Sequence, residues 1–201
     1  MSEVWVEVQC AAEAAAAMLE GGAGILQLRI KGHWSRQTFE EAQSIAALCR
    51  EAGAMFIIDD RAEFAALLGA GLHVGQDDLP AGVARKLIGP DAVLGFSTHN
   101  ARQLCSGSAE PADYLALGPI YPTASKRNPD PVLGLEQLRE CRLLAERPLV
   151  AIGGISRDNA LNVLRAGADS VAVIRDLLPE PCTRRAVRER MEEWQQLVKQ
   201  P

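Results

Sequence analysis

The sequence predicts an α/β fold in which eight strand–helix units form a single-domain (β/α)8 barrel, the TIM-barrel architecture. Short apolar segments alternate with amphipathic or Ala-rich segments along the whole chain, and eight of each can be counted. The strand segments are apolar at successive positions, which is typical of parallel strands covered on both faces. The 201 residues are at the short end for such a barrel, and no linker divides them. The alternative is an open, doubly wound sheet, which has no requirement for eight units.

The strands are predicted from short runs rich in β-branched or aliphatic residues, most of them bounded by glycine, proline or polar residues. Several end in polar residues immediately before a helical pattern, as expected where a strand meets a ligand-binding loop. In chain order the predicted strands are Val4–Val8, Ile25–Ile30, Met55–Asp59, Leu72–Val74, Ala92–Phe96, Tyr114–Leu117, Leu149–Ile152 and Ser170–Ile174.

The helices are predicted from apolar residues spaced three or four positions apart. The first is Ala-rich and ends at Gly21, and the second places Phe39, Ala42 and Ile45 on one face and ends before Gly53. The predicted helices are Cys10–Glu20, Thr38–Glu51, Arg61–Leu68, Ala81–Leu87, Asn100–Cys105, Leu135–Leu144, Arg157–Arg165 and a last one near Thr183–Val198.

Composition favours a protein that binds small molecules. The net charge is -5, the pI is about 5.3, and no run dense in Lys or Arg stands out, so neither nucleic acid nor a membrane is an expected partner. The first residues show no signal-peptide pattern, and no apolar run is long enough to span a bilayer. The five cysteines lack metal-binding spacing and indicate buried thiols in a reducing cytosol, so we expect a cytoplasmic protein. A homo-oligomer is compatible with the sequence.

Two acidic pairs follow neighbouring strands. Asp59 and Asp60 end the third predicted strand, and Asp77 and Asp78 follow the fourth. In a barrel, the carboxyl ends of the strands meet at one mouth. Carboxylate oxygens are the ligands that Mg²⁺ prefers, and Mg²⁺ commonly accompanies a phosphorylated substrate. Either pair alone is better explained as a helix N-cap, and the two pairs taken together with the basic residues described next favour a metal site.

Polar and basic residues alternate at the end of the second strand. Gln27, Arg29 and Lys31 are two residues apart, so their side chains project from the same side of an extended chain. Burying such a group is costly unless an anion meets it. The pattern predicts an anion-binding surface, and the alternative is a solvated strand end.

Hydroxyl groups and a lysine follow the fifth and sixth strands. Ser97 can reach a phosphate oxygen or can act as a helix cap. After the sixth strand, Thr123, Ser125 and Lys126 could clamp an anion. The polar segment Thr123–Leu133 is long enough to form a mobile lid.

The last two strands end in patterns typical of phosphate binding. Gly153 and Gly154 follow the seventh strand, and Ile174 and Arg175 end or follow the eighth. Loops after these two strands are the usual phosphate site of this barrel, although the glycines also suit a tight turn. His73 is expected to pack inside its strand and His99 to cap a helix, and the sequence shows no nucleophile or dinucleotide fingerprint.

Six motifs in this order resemble the thiamine-phosphate synthase family over nearly the whole chain. They are Gln27 to Lys31, Ile57 to Arg61, His73 to Pro80, Gly95 to His99, Gly118 to Thr123 with Lys126, and Ala151 to Ile155. The resemblance implies a (β/α)8 transferase that couples a hydroxymethylpyrimidine diphosphate with a thiazole phosphate and releases pyrophosphate. It implies a dissociative substitution, in which the aminopyrimidine spreads the positive charge left on its methylene and the thiazole nitrogen then attacks.

The resemblance also implies roles for individual residues. Arg29, Ser97 and Lys126 would be catalytic, and Asp60 and Asp78 would hold Mg²⁺. The residues around the pyrimidine diphosphate would be Gln27, Arg29, Lys31, Asp59, Ser97 and Lys126. The residues around the thiazole phosphate would be Thr123, Ser125, Gly154, Ile174 and Arg175.

The chain departs from the family pattern at four positions. Ile30 replaces a usual Glu, Asp59 an Asn, Ser125 a Thr and Arg175 a Ser. Two other functions are therefore considered. A thiazole tautomerase would carry His where this chain has Pro119, which counts against it. A non-catalytic homologue that binds the ligands without turnover is supported by the altered residues.

Overall fold

The structure is a computed structural model that describes residues 12–123 and 130–199, together with the main chain of residues 4–8. Eight parallel strands follow one another around a closed barrel in sequence order. Closure is made by β1, Val4–Val8, which pairs with β8, Ser170–Val173, through Val4 opposite Val171. The predicted (β/α)8 barrel is confirmed, and the open doubly wound alternative is wrong.

The elements lie close to their predicted positions. The remaining strands are β2 Ile25–Leu28, β3 Met55–Asp59, β4 Gly71–Val74, β5 Leu94–Thr98, β6 Tyr114–Leu117 and β7 Leu149–Ala151. The helices are α1 Ala12–Glu20, α2 Arg36–Ala52, α3 Ala62–Leu68, α4 Ala81–Ile88, α5 Ala101–Ser108, α6 Gly134–Leu144, α7 Ala160–Arg165 and α8 Arg184–Val198, with a 3₁₀ helix at Arg175–Leu177 before α8.

The strands bury both of their faces, which explains their nearly continuous apolar character. Ile58 and Leu72 point outward into a large core shared with the helices, whereas Ile57 and Val150 point inward and pack in the barrel interior. Interior layers of this kind fill the barrel below its mouth. Only the residues at the carboxyl ends of the strands are left to form a ligand site.

Two matched ion pairs secure the opposite, N-terminal end of the barrel. Asp113 accepts hydrogen bonds from the Leu94 main-chain N–H and from Arg85, at 2.7 and 2.6 Å. Asp169 accepts from the Leu149 N–H and from Arg142, at 2.8 and 2.6 Å. Each carboxylate joins a strand start to a preceding helix, so the charged residues at this end have a structural role.

Among the strands, the largest difference from prediction is at β5, which begins and ends two residues later than the predicted Ala92–Phe96. Ser97 and Thr98 therefore belong to the strand, and Thr98 donates a hydrogen bond from its buried hydroxyl to Ala116 O at 2.9 Å. The strand continues through two polar residues because the barrel satisfies their hydrogen bonds, which composition alone does not show.

The prediction of buried thiols is correct for only two of the four described cysteines. Cys49 and Cys141 are buried, whereas Cys105 and Cys182 are exposed to solvent. Within the described residues, no helix has the length and apolar character needed to cross a membrane.

Candidate functional site

A cavity of about 480 Å³ opens at the carboxyl ends of the strands, where the barrel fold predicts a ligand site. Every predicted site residue that the structure describes lines it. These residues are Gln27, Arg29, Lys31, Asp59, Asp60, Asp78, Ser97, Thr123, Gly154, Ile174 and Arg175. Ser125 and Lys126, with most of the predicted lid, lie outside the described residues. The closed barrel thus brings together side chains that are up to 148 positions apart in the sequence, from Gln27 to Arg175.

The two acidic strand ends meet at the mouth of the cavity. The carboxyl groups of Asp60 and Asp78 are adjacent. Burial and the neighbouring Asp60 raise the pKa of Asp78, whereas the interactions of Asp60 with Asp78 and Lys31 outweigh burial and lower the pKa of Asp60. Opposed shifts of this kind are expected of two adjacent carboxyl groups, because ionisation of one disfavours ionisation of the other. A divalent cation bound between them would relieve that repulsion.

The backbone at Asp60 is unusual. Its φ of 65° is the one positive φ among the described non-glycine residues. Asp tolerates this left-handed conformation better than most residues, and such strain tends to persist at functional sites. The following helix α3 has Arg61 at its N-cap and no side-chain cap. The helix-cap alternative is therefore wrong for Asp59 and Asp60.

The second acidic pair does not cap a helix either. Helix α4 begins after Pro80 and has no side-chain cap, and Asp78 instead accepts a hydrogen bond from the Gly75 N–H at 2.7 Å. This bond folds the loop after β4 so that the Asp78 carboxyl group turns towards Asp60.

The basic residues after β2 contact these acids. Arg29 Nε lies 2.8 Å from Asp59 Oδ2, and the two side chains are only 15% and 7% exposed. Lys31 Nζ lies 3.1 Å from Asp60 Oδ2 and is 61% exposed. The solvated-end alternative is wrong for Arg29, which is largely buried, whereas Lys31 remains open to solvent. The mouth therefore combines two cations with three carboxyl groups in one small volume.

A buried polar network below the mouth was not predicted. The two ring nitrogens of His73 contact Tyr114 Oη at 2.8 Å and Ser97 Oγ at 2.7 Å. Burial lowers the pKa of His73, so the imidazole is neutral, and burial together with Asp59 and Asp113 raises the pKa of Tyr114. The predicted packing of His73 inside its strand is correct, but its link to the predicted catalytic Ser97 was missed.

One sequence signal could have indicated this network. Gly95 stands inside β5 and pairs with both His73 and Tyr114 in the barrel register. A Cβ added there would lie 2.0 Å from the Tyr114 ring and 2.5 Å from His73 Nδ1. A glycine within an otherwise apolar strand often marks such a close approach, and here it leaves room for the two rings to meet.

The buried imidazole predicts a specific dependence of stability on pH. Burial lowers the pKa of His73 from 6.5 to about 4, so between these values the unfolded chain binds a proton that the folded protein excludes. The free energy of unfolding should therefore fall as the pH is lowered from 6.5 towards 4, by about 3 kcal/mol in total from this residue. The free energy of unfolding measured by urea denaturation should fall less steeply over this pH range in His73→Gln than in the unsubstituted protein.

His33→Gln is the matched control, because His33 is exposed on the loop after β2. It should retain the slope of the unsubstituted protein. An equal slope in His73→Gln and the unsubstituted protein would show that His73 does not exclude a proton on folding.

The loops after β6 and β7 pack tightly against each other. Gly153 and Gly154 have φ of 88° and 68°. A Cβ on Gly153 would lie 2.5 Å from Pro119 Cβ, and one on Gly154 would lie 2.6 Å from Pro122 O. The glycines thus permit a close loop contact, which does not conflict with a phosphate-binding role. The next helix, α7, has Asn159 at its N-cap.

His99 holds the other side of the mouth together. Its Nδ1 contacts Gly118 O at 2.7 Å, and its Nε2 lies 3.6 Å from Asp130 Oδ2. The predicted helix-capping role of His99 is wrong, because Asn100 caps α5 by accepting from the Gln103 N–H at 2.9 Å. His99 instead links the end of β5 to two residues of the segment after β6, Gly118 and Asp130.

Comparison with known proteins identifies the family. The family described as thiamine monophosphate synthase matches residues 4–177. The chain belongs to this family. A thiamine-phosphate synthase of Koribacter versatilis is 46% identical over 183 residues, which cover 90% of this chain and 83% of the relative. One from Laribacter hongkongensis is 45% identical over 159 residues, covering 79% and 75%.

A solved structure agrees with this assignment. The thiamine phosphate pyrophosphorylase of Pyrococcus furiosus is 33% identical and superposes with a TM-score of 0.86, covering 98% of this chain and 95% of that one. The predicted family membership and the prediction of a transferase enzyme are confirmed. The roles of the individual site residues stay predictions.

Proposed function

We propose that this protein couples 4-amino-2-methyl-5-(diphosphooxymethyl)pyrimidine with a thiazole phosphate in a Mg²⁺-dependent reaction, forming thiamine phosphate and pyrophosphate. The family and the names of its relatives support the reaction class. The observation that carries the proposal is the meeting of Asp60 and Asp78 beside Arg29 and Lys31 at the mouth of the barrel. A site of this composition suits a diphosphate that arrives with a divalent cation.

The carboxyl pair fits Mg²⁺. Among the described residues, no group of three or more His, Cys, Asp or Glu side chains could enclose a metal ion. Mg²⁺ does not require one, because it usually binds through one or two carboxylates and completes its shell with water and substrate phosphates. Asp60 and Asp78 would hold the ion, which when bound would neutralise charge on the diphosphate.

The basic residues would stabilise the leaving group. When the bond between the pyrimidine methylene carbon and the diphosphate oxygen breaks, its electron pair leaves on pyrophosphate. Arg29 and Lys31 lie where they could meet that charge, and Lys126 is assigned the same role by resemblance. Preorganised donors directed at developing charge are usually the largest contribution to catalysis.

The cavity would also hold the two reacting atoms, which are the methylene carbon of the pyrimidine and the thiazole nitrogen. The aminopyrimidine can spread the positive charge on its methylene carbon, and the thiazole nitrogen then donates its lone pair to form the new C–N bond. This dissociative course needs no protein nucleophile. Gln27 and Ser97 would orient the pyrimidine diphosphate, with Ser97 held by His73 at 2.7 Å.

The thiazole phosphate would bind on the far side of the mouth. We propose that Thr123, Ser125, Gly154, Ile174 and Arg175 hold it. Of these, the four described residues line the same cavity as Arg29 and Asp60. Arg175 would add a positive charge facing the phosphate, in the 3₁₀ helix that follows β8.

The decisive test is a coupling assay with both substrates, run with Mg²⁺ and again with a chelator. We expect thiamine phosphate and pyrophosphate to form in equal amounts with Mg²⁺ and not after chelation. Isomerisation of the thiazole without coupling would instead assign a tautomerase. Ligand binding without either reaction would assign a non-catalytic homologue, and both results would reject the proposal.

A further inference from the structure

Asp59 and Arg29 form a nearly buried ion pair inside the proposed substrate cavity. Arg29 Nε and Asp59 Oδ2 are 2.8 Å apart, and both side chains line the cavity. Taking two charges out of water is costly, so each depends on a close partner of opposite sign. The pair therefore holds a cation of the site in a neutralised state before any anionic ligand arrives.

A diphosphate would need the same guanidinium. Arginine binds carboxylates and phosphates through the same N–H groups. Two anions that contact one guanidinium repel each other, and the repulsion is stronger in a site that is largely shielded from water. A diphosphate that binds Arg29 would therefore weaken the contact between Asp59 and Arg29.

The other cation of the mouth is arranged differently. Lys31 is 61% exposed and contacts Asp60 at 3.1 Å, so water can replace either partner. Arg29 is 15% exposed, and its carboxylate partner at the end of β3 is 7% exposed. Replacing the carboxylate partner of Arg29 by an anionic ligand should consequently affect the affinity for that ligand more than the same replacement at Lys31.

We propose that Asp59 is a competitor for Arg29 that is built into the site and promotes release of the pyrophosphate product. The Asp59 carboxylate pairs with the Arg29 guanidinium in the free protein and is displaced when the diphosphate binds. The ion pair forms again as pyrophosphate leaves. This inference rests on the proposed function, in that the competing anion is the diphosphate of that reaction. If Asp59 instead only held Arg29 in place, removing the charge of Asp59 would weaken the binding of pyrophosphate.

The first test measures binding of inorganic pyrophosphate, in the presence of Mg²⁺, by titration calorimetry. Asp59→Asn keeps the shape of the side chain and removes its charge. Competition predicts that pyrophosphate binds at least about fivefold more tightly, which corresponds to about 1 kcal/mol. Asp77→Asn is the charge-matched control, because Asp77 is an exposed carboxylate at the rim of the same cavity, and it should cause a clearly smaller change.

A double-mutant cycle separates competition from a general effect of charge. Asp59→Asn should improve pyrophosphate binding when Arg29 is present and should improve it much less in an Arg29→Gln background. An equal gain in both backgrounds would show that Asp59 acts through the electrostatic field and not through Arg29. If Asp59→Asn does not fold, Asp59→Ser supplies the same comparison with a smaller side chain.

Kinetics give an independent measurement. In Asp59→Asn, slower release of pyrophosphate should produce a rapid burst of thiamine phosphate in the first turnover, followed by a lower steady-state rate. Unchanged or weaker pyrophosphate binding in folded Asp59→Asn would reject the competitor role. If the protein does not couple the substrates at all, the proposed function fails, whereas the pyrophosphate titrations would still decide the role of Asp59.

Discussion

Asp60→Asn is expected to lower the proposed Mg²⁺-dependent formation of thiamine phosphate on the order of a thousandfold, because losing a ligand of the proposed metal ion would remove several kcal/mol of stabilisation of the leaving diphosphate. Asn is the appropriate substitution, since it also tolerates the left-handed backbone that Asp60 adopts at φ 65°. Ala would lose the carboxylate and add backbone strain, so Asp60→Ala should abolish the coupling reaction at a further cost in stability. The measurement is kcat/KM for coupling over a range of Mg²⁺ concentrations.

Two controls make this result specific. Asp91→Asn removes an exposed carboxylate from the loop before β5, at the opposite end of the barrel, and should leave kcat/KM unchanged. Asp78→Asn should lower activity strongly, and the double variant with Asp60→Asn should be little worse than either single one, because both residues would serve one ion. Full turnover by Asp60→Asn at low Mg²⁺ would rule out the proposed metal site.

Arg29→Ala is expected to lower kcat/KM for coupling by about two to three orders of magnitude, which is the size expected from losing one preorganised charged donor to the leaving group. Binding of pyrophosphate should weaken in parallel. Arg29→Lys should recover only part of the activity, since an ammonium group keeps the charge but not the planar, forked set of donors.

A stability effect must be separated from this catalytic one. Removing Arg29 takes an ion-pair partner from the nearly buried Asp59, and breaking a buried pair in this way costs about 3 to 5 kcal/mol. The double variant Arg29→Ala, Asp59→Asn removes both charges and should regain much of the lost thermal stability while remaining inactive. Recovery of activity together with stability would show that Arg29 only supports the fold.

Much of the candidate site could be predicted because barrel strands bring their carboxyl ends to one place. Once eight units were recognised, residues after different strands, such as Asp60 and Asp78, were expected to be neighbours, and in the structure their carboxyl groups are adjacent. The alternation of Gln27, Arg29 and Lys31 likewise predicted their common direction, and all three line the cavity. These predictions needed only the order of the elements and the geometry of an extended strand.

The pairings within the site could not be predicted in the same way. Whether Asp59 contacts Arg29 or a ligand depends on side-chain rotamers and on differences in atomic position of about 1 Å, which a local sequence pattern does not determine. The contacts of His73 with Ser97 and Tyr114 depend on the stagger of β4, β5 and β6 around the barrel. The late end of β5 has the same origin, since the hydroxyl of Thr98 is satisfied by a carbonyl of the next strand.

The sequence by itself determined the eight-unit alternation, the barrel that follows from it, and the set of polar residues that end its strands. These features depend on hydrophobic periodicity and strand geometry, which are set by residues close together in the chain. Only the tertiary structure decided which of those residues contact one another: the adjacent carboxyl groups of Asp60 and Asp78, the buried pair of Arg29 with Asp59, and the network below the mouth. The physical reason is that closing the barrel sets the stagger between strands, and side chains that are far apart in the chain then satisfy one another's charge and hydrogen bonds away from water.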